Sequence, residues 1–304
     1  NFNPVTPQPF MRGVGSSPSD AGSDASVGVF IDGVYAGRAG GYRAELYDIE
    51  RIEVLRGPQG TLFGRNVAGG ALNILTNAPD TETAAKLELT GGNYSLFQAK
   101  GMVNGELTDG LAGRLAFITR ERDGHTDNTV TGTEVRDEDN WSVRGRLRWD
   151  ATDALSVLLS SEYTEDDLTG PAARNYEGPD PTPVLEDLGI GFLAPALLPT
   201  SPDAFDIEAG VDGSAKREMS SVTLQLDWEL EIGVFTSVTG YRDNDYDFFD
   251  DLLGLAFIPE AGIPPLLTNS ADENSDQWSQ ELRLNSWSGD VEWTLGLYYL
   301  EEDV

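Results

Sequence analysis

IERIEVLRGPQGTLFGRNVAGGALNILT, residues 49–76, joins two strand-like runs across a glycine-rich turn region. In the first run Ile52 and Val54 share one face of an extended segment, because side chains alternate across a β-strand. Gly57–Gly60 then predicts a tight reversal, since proline and glycine stand where a type I turn favours them. Residues 71–76 are apolar again and predict a second strand.

Six residues of this turn region are candidates for a special backbone role. They are Gly57, Pro58, Gly60, Gly64, Gly69 and Gly70. Glycine permits positive φ and close approach to another surface. A phosphate-binding loop is the alternative interpretation, but the pattern lacks the Gly-Lys-Ser/Thr ending and no helix pattern follows it. These residues are therefore predicted to form turns.

Together with VGVFIDGVY at residues 27–35, this stretch closely resembles the plug domain of TonB-dependent outer-membrane receptors. The resemblance implies that residues 1–80 are the C-terminal part of an α+β plug domain. Residues 81–304 would then be the first part of a transmembrane antiparallel β-barrel. The fold is expected to be mostly β, with about nine barrel strands present. In this family the barrel has 22 strands and the plug fills its lumen.

Nine strand-like segments follow a predicted linker at Asn77–Asp80, where Pro79 lacks a donor for a β-ladder. Most of them alternate apolar and polar residues, which is the period of a strand. In residues 220–230, for example, Leu224 and Trp228 fall on the apolar face. The nine candidates lie near 84–92, 95–107, 111–122, 140–150, 153–166, 217–230, 233–249, 275–287 and 290–302.

These segments indicate a membrane barrel by their length and connections. They run to roughly 10–17 residues, whereas strands of globular sheets usually have about 5–6. Short connections alternate with long ones at 123–139, 167–216 and 251–274, as in outer-membrane barrels. Trp141 and Trp149 share a face about 26 Å apart along a strand. That spacing predicts two aromatic girdles.

A soluble β-sandwich is the alternative fold, with the tryptophans in its core. No run approaches the roughly 18 apolar residues of a spanning helix. This does not exclude a membrane protein, because a closed barrel needs only alternate apolar residues. The plug-like stretch favours the barrel, since a sandwich has no use for a preceding glycine-rich domain.

Composition limits the chemistry of the chain. Its 304 residues include 52 acidic and 20 basic ones, and the net charge of −32 disfavours nucleic acid as a partner. Cysteine is absent and His125 is the single histidine, so thiolate and multi-histidine metal centres are excluded within this sequence. With no nucleophile and base arrangement, we expect neither enzymatic activity nor a cofactor.

The resemblance also implies a function and its partners. The chain is expected to be a piece of a longer receptor, because neither end resembles a natural terminus. Such receptors lie in the outer membrane of Gram-negative bacteria and import a scarce nutrient. They are driven by TonB, with its ExbB–ExbD motor, through an N-terminal box that this sequence lacks. Lipopolysaccharide and outer-membrane lipid would surround the barrel.

The resemblance leaves a second function open. A plugged barrel could instead be a surface receptor that docks an extracellular or lipoprotein partner without transport. Siderophores, cobalamin, oligosaccharides and aromatic or terpenoid compounds all enter through this family, so the ligand is not fixed by the sequence.

Ion pairs between plug and barrel form the first site hypothesis. Arg51, Arg56 and Arg65 lie in the plug-like stretch, and arginine suits bidentate pairing with a carboxylate. Glu281 is the preferred barrel partner of Arg51 or Arg56, because Leu282 lies on the apolar face and turns Glu281 inward. The alternative is an ordinary lumen carboxylate among water and other side chains.

Two long loops form the second hypothesis, because they carry unexpected apolar residues. Exposed loop tips seldom carry several apolar side chains unless these contact a partner or a ligand. They are predicted to form a lid and part of a ligand pocket, or else to pack against each other. The candidates for ligand contact are Phe192, Leu193, Leu253, Phe257 and Ile258.

Acidic residues of the loops could bind calcium through hard oxygen ligands. Their spacing matches no defined calcium loop, so a solvated extracellular surface is the favoured interpretation. The residues concerned are Asp123, Asp127, Glu134, Asp137, Glu138, Asp139 and the run Asp243–Asp251. No metal site is therefore predicted.

Overall fold

A computed structural model shows three β-sheets among the residues that it describes. It describes residues 9–15, 25–38, 41, 46–170, 182–187, 189, 191, 206–207, 209–251, 268–288 and 291–304. The predicted ligand-contact residues Phe192, Leu193, Leu253, Phe257 and Ile258 lie outside these ranges. Neither helix in the described parts of the chain is long and apolar enough to cross a membrane.

The helices and strands are numbered in chain order. They are β1 (Val27–Ile31), β2 (Val34–Tyr35), β3 (Ile49–Arg56), α1 (Gly60–Phe63), β4 (Gly70–Thr76), β5 (Ala84–Gly91), β6 (Phe97–Thr108), β7 (Leu111–Arg122), β8 (Thr126–Asn128), β9 (Thr133–Val135), β10 (Glu138–Thr152), β11 (Leu155–Thr169), α2 (Thr182–Asp187), β12 (Asp206–Ile207), β13 (Ser214–Leu230), β14 (Gly233–Asp251), β15 (Thr268–Ser288) and β16 (Val291–Asp303).

The small sheet contains the quoted stretch and has the strand order β2-β1-β4-β3. Both predicted strands of that stretch are confirmed as β3 and β4, which pair antiparallel. β1 lies parallel to β4, with Val29 opposite Leu72. Val29, Ala36 and Ile74 form one buried cluster of this sheet. Apolar residues in β1 and β4 thus hold the sheet together, because both strands are central and bury their side chains.

The turn region contains a helical turn that the sequence analysis missed. Residues after the predicted reversal form α1, a single turn between Gln59 and Gly64. The pattern did not predict it because four residues are too few to show helical periodicity. Gly70 has a φ of 144°, and a Cβ there would meet Met11 and the Leu55 carbonyl. Only glycine fits that position.

The large sheet contains all nine predicted barrel strands, which are therefore confirmed. Their order is β16-β15-β14-β13-β11-β10-β7-β6-β5, and every neighbouring pair is antiparallel. Short connections such as 109–110 and 231–232 join strands at one end. The long connections at 123–137, 170–213 and 252–267 join them at the other end, together with a short one at 92–96. The asymmetry predicted for the long connections is therefore confirmed.

Side chains of the large sheet alternate between two environments. On β10, Arg144 and Arg146 are buried, whereas Leu147 and Trp149 are exposed. The small sheet lies against the face that carries the arginines, which we call the inner face. Trp141 and Trp149 both belong to the opposite, outer face, as their shared parity predicts.

Several strands extend further than predicted at the long-loop end. Glu138 and Asp139 were expected in a loop but begin β10, and β15 begins at Thr268 rather than near residue 275. Apolar alternation fails there because these residues are acidic or polar. A strand that continues beyond the apolar band into water keeps its ladder without needing apolar side chains.

The third sheet joins two of the long connections in the order β12-β8-β9. Asn128 of β8 is buried and donates to the Ala209 carbonyl at 2.9 Å and to Asp212 at 2.8 Å. Val135, Ile207 and Ala209 form a buried cluster beneath it. This part of the long-loop end is therefore an ordered structure with its own core.

Candidate functional site

The candidate site is the interface between the small sheet and the inner face of the large sheet. We call the inner-face residues that contact the small sheet the docking surface. It consists of Arg114, Ser142, Arg144, Arg146, Glu162, Gly240, Arg242, Gln277 and Glu302. Cross-strand register brings these residues together, since Arg146 lies opposite Arg114 and Arg144 lies opposite Glu162.

Arg146 contacts two separate parts of the small sheet. Its Nη1 donates to the carbonyl oxygens of Thr76 and Asn77 at 2.9 and 3.1 Å, and to the Thr76 hydroxyl. Its Nη2 lies 3.7 Å from a carboxylate oxygen of Asp32. Asp32 in turn accepts from the Thr76 amide at 2.9 Å and the Thr76 hydroxyl at 2.7 Å. Arg146, Asp32 and Thr76 therefore form one group, joined by hydrogen bonds at Thr76 and by an ion pair between Arg146 and Asp32.

Arg114 makes a two-point ion pair with Asp48. Its Nε donates to Oδ2 at 2.8 Å, and its Nη2 donates to Oδ1. Both side chains are more than nine-tenths buried. Asn77 Nδ2 donates to the same carboxylate at 3.0 Å. Such a fork geometry fixes the direction of approach as well as the charge.

Tyr47 places a phenol beside a buried carboxylate of the docking surface. Its hydroxyl donates to Glu162 at 2.9 Å and lies 3.2 Å from the Ser142 hydroxyl. The Arg144 guanidinium lies 4.4 Å from the centre of the Tyr47 ring and also donates to Glu162 at 2.9 Å. Burial, followed by the Glu162 charge, raises the pKa of Tyr47, so the hydroxyl stays protonated and remains a donor.

Three further contacts extend the interface across β14, β15 and β16. Arg242 donates to the Gly41 carbonyl at 2.9 Å, and Gln277 donates to the Tyr35 carbonyl at 2.7 Å. Arg38 pairs with Glu302 at 2.8 Å. The docking surface mainly supplies donors, and the small sheet mainly supplies carboxylates and carbonyl oxygens. Removing one partner of such a buried pair is costly, because the other charge stays buried without a partner.

Arg51 and Glu281, which were predicted to pair across the interface, have other ion-pair partners in the structure. Arg51 is exposed and pairs with Glu50 and with Glu53, the latter at 2.8 Å. Hydrogen bonding to Glu53 raises the pKa of Arg51 and correspondingly lowers the pKa of Glu53. Glu281 lies on the inner face but pairs with Arg283 at 3.1 Å.

A pair between Glu281 and Arg51 or Arg56 is thus not among the ion pairs of the described residues. Arg56 is exposed at the end of β3. Arg65 and Glu281 both lie near enough to Tyr298 of β16 for their charges to act on its hydroxyl group. Arg65 and Glu281 therefore approach the same tyrosine.

The acidic residues show no arrangement of three or more carboxylate, histidine or cysteine ligands around a common point in the described parts of the chain. Asp137 instead accepts hydrogen bonds from the amide and hydroxyl of Thr169. Asp127 and Glu134 lie in the small loop sheet of β8 and β9. These carboxylates therefore belong to the polar long-loop end of the large sheet.

The arginines of the docking surface were not among the residues predicted to join plug and barrel. Arg144, Arg146 and Arg148 alternate with Val143, Leu147 and Trp149, which shows that they share a face. The same pattern did not reveal that Arg144 and Arg146 hydrogen-bond the small sheet and its connections. Such contacts depend on which residues of that sheet lie opposite them in the folded chain. An arginine at every second position of an otherwise apolar strand was the available signal.

Comparison with known proteins identifies the small sheet. Residues 1–71 match the family described as "TonB-dependent Receptor Plug Domain". Residues 1–71 are thus a TonB-dependent receptor plug domain, and the chain is similar to TonB-dependent receptors. The pesticin receptor of Yersinia pestis is 34% identical over 125 residues, which cover 41% of this chain and 18% of that protein. The vitamin B12 transporter BtuB of Photobacterium profundum is 36% identical over 97 residues, covering 32% of this chain and 16% of that protein.

The solved structures agree on the fold. The ferric yersiniabactin uptake receptor FyuA of Yersinia pestis superposes with a TM-score of 0.79 at 21% identity. The match covers 99% of this chain and 43% of that one. The siderophore receptor PiuA of Acinetobacter baumannii gives 0.74 at 18% identity, covering 99% and 40% of the two chains. At these identities the likeness shows the fold alone.

The large sheet is therefore part of a TonB-dependent receptor barrel, with the plug against its inner face. The chain spans about a fifth of the length of the curated relatives it matches. Receptors of this family lie in the outer membrane of Gram-negative bacteria, and this chain has the same location. The relatives are receptors and transporters rather than enzymes.

Proposed function

We propose that this chain is the plug and first barrel strands of a receptor that imports a scarce nutrient across the outer membrane. Ligand would bind at the extracellular face, and TonB with its ExbB–ExbD motor would then rearrange the plug. Residues 1–80 act as the plug domain and residues 81–304 as barrel wall. The observation that supports this most is the buried, hydrogen-bonded contact between the plug and the inner face.

The interface between the plug and the inner face suits a plug that closes the barrel reversibly. Beside apolar contacts such as Tyr47 with Ala116 and Ile118, it has hydrogen bonds and ion pairs such as Arg146 with Thr76. These groups can exchange their partners for water when the lumen opens, whereas two apolar surfaces could not. A polar interface inside the barrel therefore permits movement of the plug at moderate cost.

The ligand is a small molecule of the kind that the relatives' names mention. Ferric yersiniabactin and vitamin B12 are the first candidates, because the similar proteins are named for them. We also include an oligosaccharide and an aromatic iron chelate in the panel. The long connections at the extracellular end, with Phe192, Leu193, Leu253, Phe257 and Ile258, are proposed to contact this ligand.

Uptake by cells tests import directly. The full-length receptor would be expressed in a strain that lacks its own receptors, and accumulation of each radiolabelled panel member would be measured. We expect one member to accumulate only when TonB is present. Binding at the cell surface without accumulation, in cells with active TonB, would contradict import.

A non-transporting receptor is the second candidate function. It is favoured by the pesticin receptor, a relative whose name describes reception rather than transport. In that case the plugged barrel would be a docking platform for an extracellular protein or a surface lipoprotein. An accessory subunit that co-purifies with the receptor, combined with unchanged binding when TonB is absent, would support this alternative over import.

A further inference from the structure

The outer face of the large sheet carries an apolar groove of about 600 Å³ across strands β6, β7, β10 and β11. Its floor consists of small residues that the strand register brings side by side. Gly105 of β6 lies opposite Gly113 of β7. Gly145 of β10 lies opposite Ser161 of β11. Two apolar rims border this floor, and each rim residue is at least 40% exposed: Val103, Leu107, Leu115, Leu147 and Leu159.

The floor is open at Gly145, because a Cβ there would meet no atom of the described residues within 4 Å. Gly101 also occupies an outward position, on β6, but a Cβ there would collide with the Phe117 ring. Phe117 thus covers Gly101, whereas no described side chain covers Gly145. An empty groove would leave its lining without contact atoms on one side, which favours an occupant from the surrounding membrane.

The groove lies in the half of the apolar band that is nearer the periplasm. Gly145 is four residues from Trp141 and four from Trp149, whose spacing predicts the two aromatic girdles. Gly113 lies toward the Trp149 end, three residues after the short connection 109–110. Short connections face the periplasm in outer-membrane barrels. The leaflet beside the groove is therefore the periplasmic one, which consists of phospholipid, and not the outer one, which consists of lipopolysaccharide.

The dimensions of the groove suit one acyl chain. Its floor crosses three spacings between neighbouring strands, which is about 14 Å at roughly 4.8 Å each. One leaflet contributes about 15 Å to a hydrocarbon core of roughly 30 Å. Small floor residues let a flexible chain approach the backbone closely, and close packing is what favours association within hydrocarbon. A second barrel would present a convex wall instead, and its side chains would meet the rims before the floor.

The connections beside the groove carry negative charge. Asp109 follows β6, and Asp153 follows β10. Arg148, close to the same end of β10, already pairs with Asp150 at 3.1 Å. Negative charge attracts the ammonium group of phosphatidylethanolamine and repels phosphatidylglycerol, whose headgroup is a net anion. The charge therefore favours an amine-bearing headgroup.

We propose that this groove binds one acyl chain of a phosphatidylethanolamine molecule from the periplasmic leaflet. The acyl chain lies on the floor between the two rims, and the acidic connections favour the headgroup. The inference goes beyond import, because it rests on the barrel wall and its membrane and not on the imported ligand.

Two substitutions in the full-length receptor fill the groove. Gly145→Leu adds a side chain to the open part of the floor, and Ser161→Leu does so on the neighbouring strand. Leu282→Phe is the control, since it adds apolar volume to the outward row of β15, outside the groove. Heat-dependent mobility on a denaturing gel shows whether each variant has assembled. If Gly145→Leu does not assemble, Ser161→Leu decides the test.

Native mass spectrometry of the receptor, extracted from outer membranes in a mild detergent, identifies each retained lipid by its mass. We expect the wild-type receptor to retain phosphatidylethanolamine. The retained fraction should fall on the order of tenfold in both leucine variants, because the new side chain removes the contacts of the acyl chain. Retention by Leu282→Phe should equal that of the wild type.

Equal retention by the wild type and the assembled leucine variants would overturn the inference. Retention of lipopolysaccharide or of a protein subunit in place of the phospholipid, lost in the same variants, would overturn it as well. The headgroup is tested by incubating the delipidated receptor with mixed micelles that contain equal amounts of phosphatidylethanolamine and phosphatidylglycerol. Preferential capture of phosphatidylethanolamine is expected, and equal or greater capture of phosphatidylglycerol would contradict the proposal.

Discussion

Gly240, Val34 and Tyr47 show how much of the interface depends on single positions. Gly240 is the position where the wall has no side chain, and Val34 fills the space that this leaves. Tyr47 adds one hydroxyl that contacts both Glu162 and Ser142 on the wall. At this scale, the plug is held against the wall by complementary packing and by hydrogen bonds between buried donors and acceptors.

Gly240→Ala should destabilise the full-length receptor by about 1–3 kcal/mol, because the added methyl group overpacks the contact with Val34. The midpoint of thermal unfolding of the purified receptor measures this. Gly145→Ala is the control, since a Cβ there meets no atom within 4 Å. The double variant Gly240→Ala with Val34→Ala should recover part of the loss; no recovery would contradict the proposed contact.

Tyr47→Phe should cost about 1–3 kcal/mol, because Glu162 and Ser142 lose a buried hydrogen-bond partner while the ring stays in place. Tyr299→Phe is a suitable comparison, since its hydroxyl donates to Glu301 on the exposed outer face. Denaturant unfolding of both variants gives the two values. Equal effects would show that burial of the Tyr47 hydroxyl does not matter.

At the scale of elements, each barrel strand separates a lipid-facing outer row from a polar inner row. On β13 the exposed Leu224 belongs to the outer row, whereas Gln225 bonds Asp227 on the inner face. The outer row ends in aromatic residues bonded to carboxylates, such as Trp141 with Glu165 at 3.2 Å and Tyr163 with Glu218 at 3.3 Å. Such pairs are expected where hydrocarbon gives way to water, as in aromatic girdles.

Leu224→Arg should therefore destabilise the folded barrel by about 2–4 kcal/mol if Leu224 lies near the middle of the bilayer. Gln225→Arg should have a much smaller effect, because the lumen is polar. Unfolding of the receptor in lipid vesicles measures both. A similar cost for the two neighbouring positions would contradict the assignment of the faces.

At the scale of the whole molecule, the plug and the wall differ in where their apolar side chains lie. The plug has buried clusters of its own, such as the one around Val29 and Ile74. The wall exposes its apolar residues outward and needs lipid to cover them. We therefore expect the wall strands to pair with each other without the plug.

A full-length receptor that lacks residues 1–80 should still insert and form an open pore. The inner face is polar and would be wetted, so we expect a conductance that the complete receptor lacks. Single-channel recording in planar bilayers measures it, with the complete receptor as the control. Failure to assemble in the outer membrane would contradict the proposed boundary at residue 80.

The glycine-rich stretch and the long alternating strands were sufficient to predict the fold from the sequence. Backbone turns and the two-residue period are local properties, so residues 49–76 and the strand of Trp141 could be interpreted without knowing their neighbours. The helical turn of α1 and the acidic ends of β10 and β15 were missed, because their local patterns are too short or too polar.

By itself the sequence determined a plug-like unit, alternating barrel strands, an acidic chain and a polar inner face. Only the tertiary structure decided which residues join the two sheets. The sequence favoured plug arginines with Glu281, whereas the ion pairs found are mainly wall arginines such as Arg114 and Arg146 with plug aspartates. The reason is physical: a strand pattern specifies which face a side chain occupies, but a partner across the lumen is set by how two separate chain segments come to lie against each other.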